Sequence, residues 1–178
     1  KGAEVTPLVS EFIVEAQAGG TCVVRVVSSA FGTGADWEQE FFDDMENGWV
    51  PFFDHLRIYL QHFPGQQVTR MDAETQLPGP PEAAVQAMQQ ALGIAKTGQQ
   101  LDARGLDARV EAIEDKRLLL RVTDPVPGYL ALLAWDIGDG RANATVAGYL
   151  FSERASAYVE AERSNWKAWL DDLSVHTA

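Results

Sequence analysis

The chain has 178 residues, 26 of them acidic and 14 basic, for a formal net charge of −12. The basic residues form no block, which argues against nucleic acid or an anionic membrane surface as main partner, since both need clustered Lys and Arg. Apolar residues make up 46% of the chain, enough for a sizeable core. No apolar run approaches the roughly 20 residues that span a bilayer.

The chain starts without Met, directly before a strand, so further N-terminal sequence is expected ahead of it. In Leu8 to Ala16, Phe12 and Val14 alternate with Glu11, Ile13 and Glu15, the pattern of a half-buried strand. Gln17-Ala18-Gly19-Gly20 reads as a turn and Thr21 to Ser29 as the second strand of a hairpin. The single cysteine, Cys22, lies in that strand and reads as a small apolar core thiol. One thiol permits no intrachain disulfide and fits a reducing, cytoplasmic setting.

After Gly32-Thr33-Gly34, large apolar residues recur every three or four positions from Trp37 through Trp49, Phe52 and Leu56 to Phe63. This is one stripe of a helix, with acids in its first turns and a kink expected near Gly48 to Pro51. Pro64-Gly65 ends it. Val68 to Leu77 alternates, with Thr69, Met71, Ala73, Thr75 and Leu77 on one side. A short helix is expected from Pro81 to Leu92, carrying Val85, Met88 and Leu92. Four strands follow, at Leu106 to Ile113, Arg117 to Thr123, Tyr129 to Ile137 and Arg141 to Phe151. Their short connections predict an antiparallel meander. A last helix begins after Ser152, a candidate N-cap, and carries Val159, Trp166, Trp169, Leu170 and Leu173.

The segment Trp49-Val50-Pro51-Phe52-Phe53-Asp54-His55-Leu56 matches Trp166-Lys167-Ala168-Trp169-Leu170-Asp171-Asp172-Leu173 in form. In each, Trp is followed by two residues, two large apolars, Asp, one residue and Leu. Both segments lie near the end of a helix that follows a hairpin, which points to a duplication. The expected organisation is residues 1–65 as the C-terminal half of one unit and residues 66–178 as a second, fuller unit.

The order strand, short helix, antiparallel strands, long helix resembles the helix-grip fold of the START-like (SRPBCC) superfamily. Gly19 to Val26, followed by Gly48-Trp49 and Leu56 to Leu60, is similar to its bacterial activator-of-Hsp-90-ATPase-like branch, as is Leu77-Pro78-Gly79-Pro80-Pro81 running into Glu82-Ala83-Ala84-Val85. The resemblance implies an α+β fold, an antiparallel sheet packed on a long C-terminal helix, here as a tandem whose first unit is incomplete. It implies binding of a lipophilic molecule between sheet and helix and carries no universal catalytic residue.

Aromatic residues are the candidates for such a pocket: Trp49, Phe53, Trp135, Tyr149 and Trp166, with Tyr149 or Arg25 to orient a ligand. The competing reading is that they simply fill the core. His55 and His62 are seven apart, too far for one metal, and His176 lies in the tail, so no metal site is expected. Asp43-Asp44, Asp54 and Asp171-Asp172 read as solvated helix faces, because adjacent acids on a helix diverge by about 100°. Gly32-Thr33-Gly34 lacks the Lys and spacing of a phosphate loop. No catalytic residue and no cofactor are expected. The leading expectation is noncatalytic binding of a small hydrophobic, lipid- or polyketide-like molecule. The alternatives are a co-chaperone-like protein-interaction module and a cyclase or hydrolase using the same cavity.

Overall fold

A computed structural model of the protein describes residues 9–29 and 51–176, with side chains to residue 173. The chain forms two compact units, Lys1–Tyr59 and Leu60–Ala178. The helical stripe from Trp37 to Trp49, the expected kink, Gly32 to Gly34 and the Asp43-Asp44 pair lie outside the described residues.

In the first unit, strands β1 (Val9–Ala16) and β2 (Cys22–Ser29) form an antiparallel two-stranded sheet. Gly19 and Gly20 close the hairpin at φ of +83° and +75°, a region open to glycine at little cost. Phe12 stands opposite Val26 and Val14 opposite Val24. Phe12 and Val14 nevertheless remain 55% and 65% exposed. Cys22, expected in the core, is exposed. It is the first residue of β2, paired with Ala16 beside the turn, where a two-stranded sheet offers little cover. Residues 51–62 form helix α1, which stops just before Phe63-Pro64-Gly65.

The second unit carries a six-stranded antiparallel sheet in the order β3-β8-β7-β6-β5-β4. The strands are β3 (Thr69–Pro78), β4 (Gln100–Ala103), β5 (Leu106–Glu114), β6 (Arg117–Asp124), β7 (Gly128–Gly138) and β8 (Arg141–Leu150). Helix α2 (Pro81–Ala91) follows β3, and helix α3 (Ala155–His176) follows β8. The meander expected from the short connections is present. Strand β4 is an addition to it: its four residues are too short to display a period of two.

Local chemistry explains these elements. Pro81 occupies the first turn of α2, where its missing N–H has no partner to lose. At the other end Gly93, at φ +68°, donates to Gln90 O, and Ile94 donates to Gln89 O. This is a Schellman closure, and it tucks the Ile94 side chain into the core. Before α3, the Ser152 hydroxyl accepts from the Arg154 N–H at 3.2 Å.

The main apolar cluster lies on one face of the sheet. Met71, Ala73 and Leu77 of β3 join Leu130 and Leu132 of β7 and Ala144 and Val146 of β8 there. Val85 and Met88 of α2 and Trp166 and Leu170 of α3 pack onto the same face. Helix α2 covers β6, β7 and β8, whereas α3 lies mainly along β3 and, less extensively, β8. Gly148 lets the layers close: a Cβ there would lie 3.1 Å from Leu130 Cδ2 and 3.2 Å from Met71 Cβ.

Candidate functional site

Helix α3 carries three aromatic residues in or against the apolar core, Tyr158, Trp166 and Trp169. Trp166 is 1% exposed and meets Trp169 edge to face, with ring centroids 5.4 Å apart. Tyr158 and Trp169 are half-buried and pack against the core rim, as does Ala103 at the end of β4. Burial pushes the Tyr158 phenol up, while a hydrogen bond from Trp166 acts in the opposite direction.

The β4–β5 turn reaches over this cluster. Arg104 and Gly105 have φ of +55° and +71°, the pattern of a type I′ hairpin turn. An L-residue in this left-handed region costs roughly 1 kcal/mol. The Arg104 side chain offsets that cost: its guanidinium lies 4.7 Å from the Trp166 centroid and 5.1 Å from that of Trp169. Nη2 also donates to Asn165 O at 3.3 Å. Desolvation lowers the Arg104 pKa, Glu162 opposes that shift, and the group stays cationic. Further along α3, Thr75 Oγ1 donates to Asp171 Oδ1 at 2.6 Å, and Lys167 Nζ bonds both Asp171 oxygens at 2.9 Å.

Within the second unit, the aromatic candidates from the sequence fall on two faces of the sheet. Trp49 lies outside the described residues. Phe53 is half-buried on α1 in the first unit, edge to face with Phe52 at 5.7 Å. Arg25 is exposed on β2 of the same unit. Trp166 is in the core of the second unit, but Trp135 and Tyr149 are on the opposite face of its sheet. There Tyr149 stacks on Tyr129 at 4.7 Å and its hydroxyl accepts from Arg70 Nη1 at 2.7 Å. Trp135, opposite Asn143, is 44% exposed. Parity explains the division: the core-facing residues of β7 are Leu130, Leu132 and Ala134, which leaves Tyr129, Ala131, Leu133 and Trp135 on the other face.

Arg104 and Tyr158 were not singled out from the sequence. The one available signal was Arg104-Gly105 between two short apolar stretches, a hairpin pattern. Elsewhere in the second unit, a cleft of about 370 Å³ between β3 and the start of α3 is lined by Gln66, Gln67, Thr69, Ser152, Glu153 and Ser156. Another of about 270 Å³ lies between α2 and the β5–β6 turn and presents Glu82, Gln86, Gln89, Glu114 and Asp115. Both are polar, unlike the Trp166 cluster. His62 is exposed and His55 half-buried. Among the described residues, no group of three His, Cys, Asp or Glu side chains is arranged to hold a metal, and no helix is long and apolar enough to cross a membrane.

No family model matches the chain, and no curated protein matches it. Solved structures do resemble it. The Helicobacter pylori protein jhp0584 is 17% identical, with a TM-score of 0.51 over 65% of this chain and 92% of its own. DynU16, from the dynemicin biosynthetic locus, is 18% identical, with a TM-score of 0.50 over 61% of this chain. The match spans 46% of DynU16, under half its length. Identities this low speak to fold alone. Strand, short helix, antiparallel meander and a long C-terminal helix laid on the sheet's apolar face give the second unit the helix-grip fold.

Proposed function

We propose that the second unit binds a small hydrophobic molecule between its sheet and α3, without catalysis. The observation that carries this reading is the aromatic cluster of α3: Trp166 and Trp169 meet edge to face, Tyr158 and Trp169 stand half-buried at the edge of the core, and Arg104 of the β4–β5 turn lies over both indoles. Side chains can rotate to exchange contacts with one another for contacts with a guest, whereas a hydrogen-bonded ladder cannot. Apolar burial supplies the affinity, and the Tyr158 phenol and Arg104 supply orientation. The likeness in fold to DynU16, a protein of a biosynthetic locus, supports a polyketide-like guest. The single thiol fits a cytoplasmic setting, and the Trp-led segments at Trp49 and Trp166 support a tandem of two grips.

The test is a thermal-shift screen of lipophilic compounds joined to native mass spectrometry. A guest present at 100 times its Kd stabilises the fold by about 2.7 kcal/mol, which a melting curve resolves. No stabilisation and no retained compound across fatty acids, sterols and polycyclic aromatics would sink the proposal.

One observation favours a second reading, a protein-interaction surface. Trp135 and Ile137 are 44% and 39% exposed on β7, in the stretch beyond its pairing with β6. Sedimentation velocity over a range of concentrations, on the parent and on Trp135→Ser, tests for self-association through this patch. Identical monomeric profiles for both remove a second copy of the chain as the partner.

A further inference from the structure

We infer that the guest of the grip carries an anionic end group, a carboxylate or sulfonate, and that Arg104 pairs with it at the β4–β5 rim. This rests on the ligand-binding reading above and adds the chemical class of the ligand. Arg104 is placed by structure rather than by chance of exposure. Its backbone is in the left-handed region, and its guanidinium lies over the rims of both Trp166 and Trp169.

Its hydrogen bonding is nearly unused. A guanidinium has five N–H donors, and among the described residues the single hydrogen bond goes from Nη2 to a main-chain carbonyl at 3.3 Å. No described carboxylate forms an ion pair with Arg104. By contrast, Arg70, Arg117 and Arg121 each hold a carboxylate at 2.6 to 2.8 Å. The acid whose charge acts on Arg104 is Glu162, whose Oε2 accepts from Asn165.

The two indoles hold the guanidinium at the β4–β5 rim, where Arg104 is exposed, and a guanidinium can take an anion in two parallel hydrogen bonds. The half-buried walls of Tyr158, Trp169 and Ala103 stand beside it. An apolar body against those walls brings its polar end to Arg104. In a chain with a net charge of −12 the overall field repels anions, so an anionic guest needs a dedicated local cation.

The experiment compares decanoate with decanol, which share a chain and differ in the charged end. Binding of each is measured by isothermal titration to the 178-residue chain, to Arg104→Gln and to Arg104→Lys, with far-UV circular dichroism confirming that each variant is folded. The expected result is that Arg104→Gln weakens decanoate about tenfold, the worth of one charge-assisted pair, and decanol less than twofold. Arg104→Lys retains the charge and recovers part of the decanoate affinity. The inference is overturned if Arg104→Gln binds decanoate as well as the parent does. It is also overturned, with the ligand-binding proposal left standing, if the parent binds decanol while rejecting decanoate. If the parent binds neither, both readings fall together.

Discussion

Trp166 and Trp169 should differ sharply in what they contribute to stability, and the difference tests the architecture of the aromatic cluster. Trp166 is 1% exposed, so truncation to Ala removes nearly all of a buried indole. A side chain of that size buries roughly 200 Å², worth about 5 kcal/mol at 25 cal/mol per Å². Ala retains a small part of this, so Trp166→Ala should cost about 4 kcal/mol, within the range seen for Trp truncation in cores. Trp169 is half-buried at the rim and should cost about 2 kcal/mol on the same reasoning. Both variants lose one of the two faces under Arg104, so that loss cancels in the comparison. Urea unfolding followed by far-UV circular dichroism reads the difference. With a slope of about 1.5 kcal/mol per M, the midpoint should fall by roughly 2–3 M for Trp166→Ala and about half that for Trp169→Ala. If Trp169→Ala proves equal to or worse than Trp166→Ala, the assignment of Trp166 to the centre of the grip and of Trp169 to its rim is wrong.

Three further predictions concern the scaffold. Gly128→Ala should cost at least about 3 kcal/mol or abolish folding, because its Cβ would lie 2.3 Å from Tyr149 O, whereas Gly148→Ala, which meets side chains at 3.1 Å and beyond, should cost about 1 kcal/mol; equal melting temperatures for the two variants would contradict this. Phe63→Ala should cost about 3 kcal/mol, since Phe63 is 6% exposed and stacks on Phe151 at 4.3 Å; a melting curve unchanged from the parent would show that the stack contributes nothing. Asp171, held below the usual Asp range first by the Thr75 hydroxyl and then by Lys167, contributes stability that is present above the unfolded pKa of about 3.9 and lost as pH falls through the lower folded value. Asp171→Asn should therefore flatten the acid limb of a stability-versus-pH series, and an unaltered limb would rule out this linkage.

Much of the second unit was legible because its signals are local. The alternation through Met71, Ala73, Thr75 and Leu77 reports which side of β3 is buried without reference to any other strand. Pro81 announced the start of α2, and the short connections announced the meander. Where a strand is apolar on both faces, that kind of signal vanishes. Leu118, Leu119 and Leu120 of β6 are all fully buried, as are Leu130, Ala131 and Leu132 of β7. Parity along such strands cannot be read without knowing where the helices lie. Trp135 and Tyr149 were accordingly grouped with Trp166, although the sheet separates them. Cys22 was misplaced for a related reason: the apolar run around it matched a buried strand, but cover depends on how many layers surround it.

The sequence by itself determined the element order, apart from β4, and the antiparallel meander, because each follows from periodicity, turn chemistry and helix punctuation within a few residues; the helix-grip plan came from the resemblance of that order to a known fold. Only the tertiary structure decided which side chains meet at the β4–β5 rim. The meeting of Arg104 with Trp166 and Trp169 joins positions about sixty residues apart, and it depends on the left-handed turn at Arg104-Gly105. No local pattern encodes that contact. It arises because α3 lies along β3 and β8 with Trp166 and Trp169 within reach of the Arg104 side chain on the β4–β5 turn.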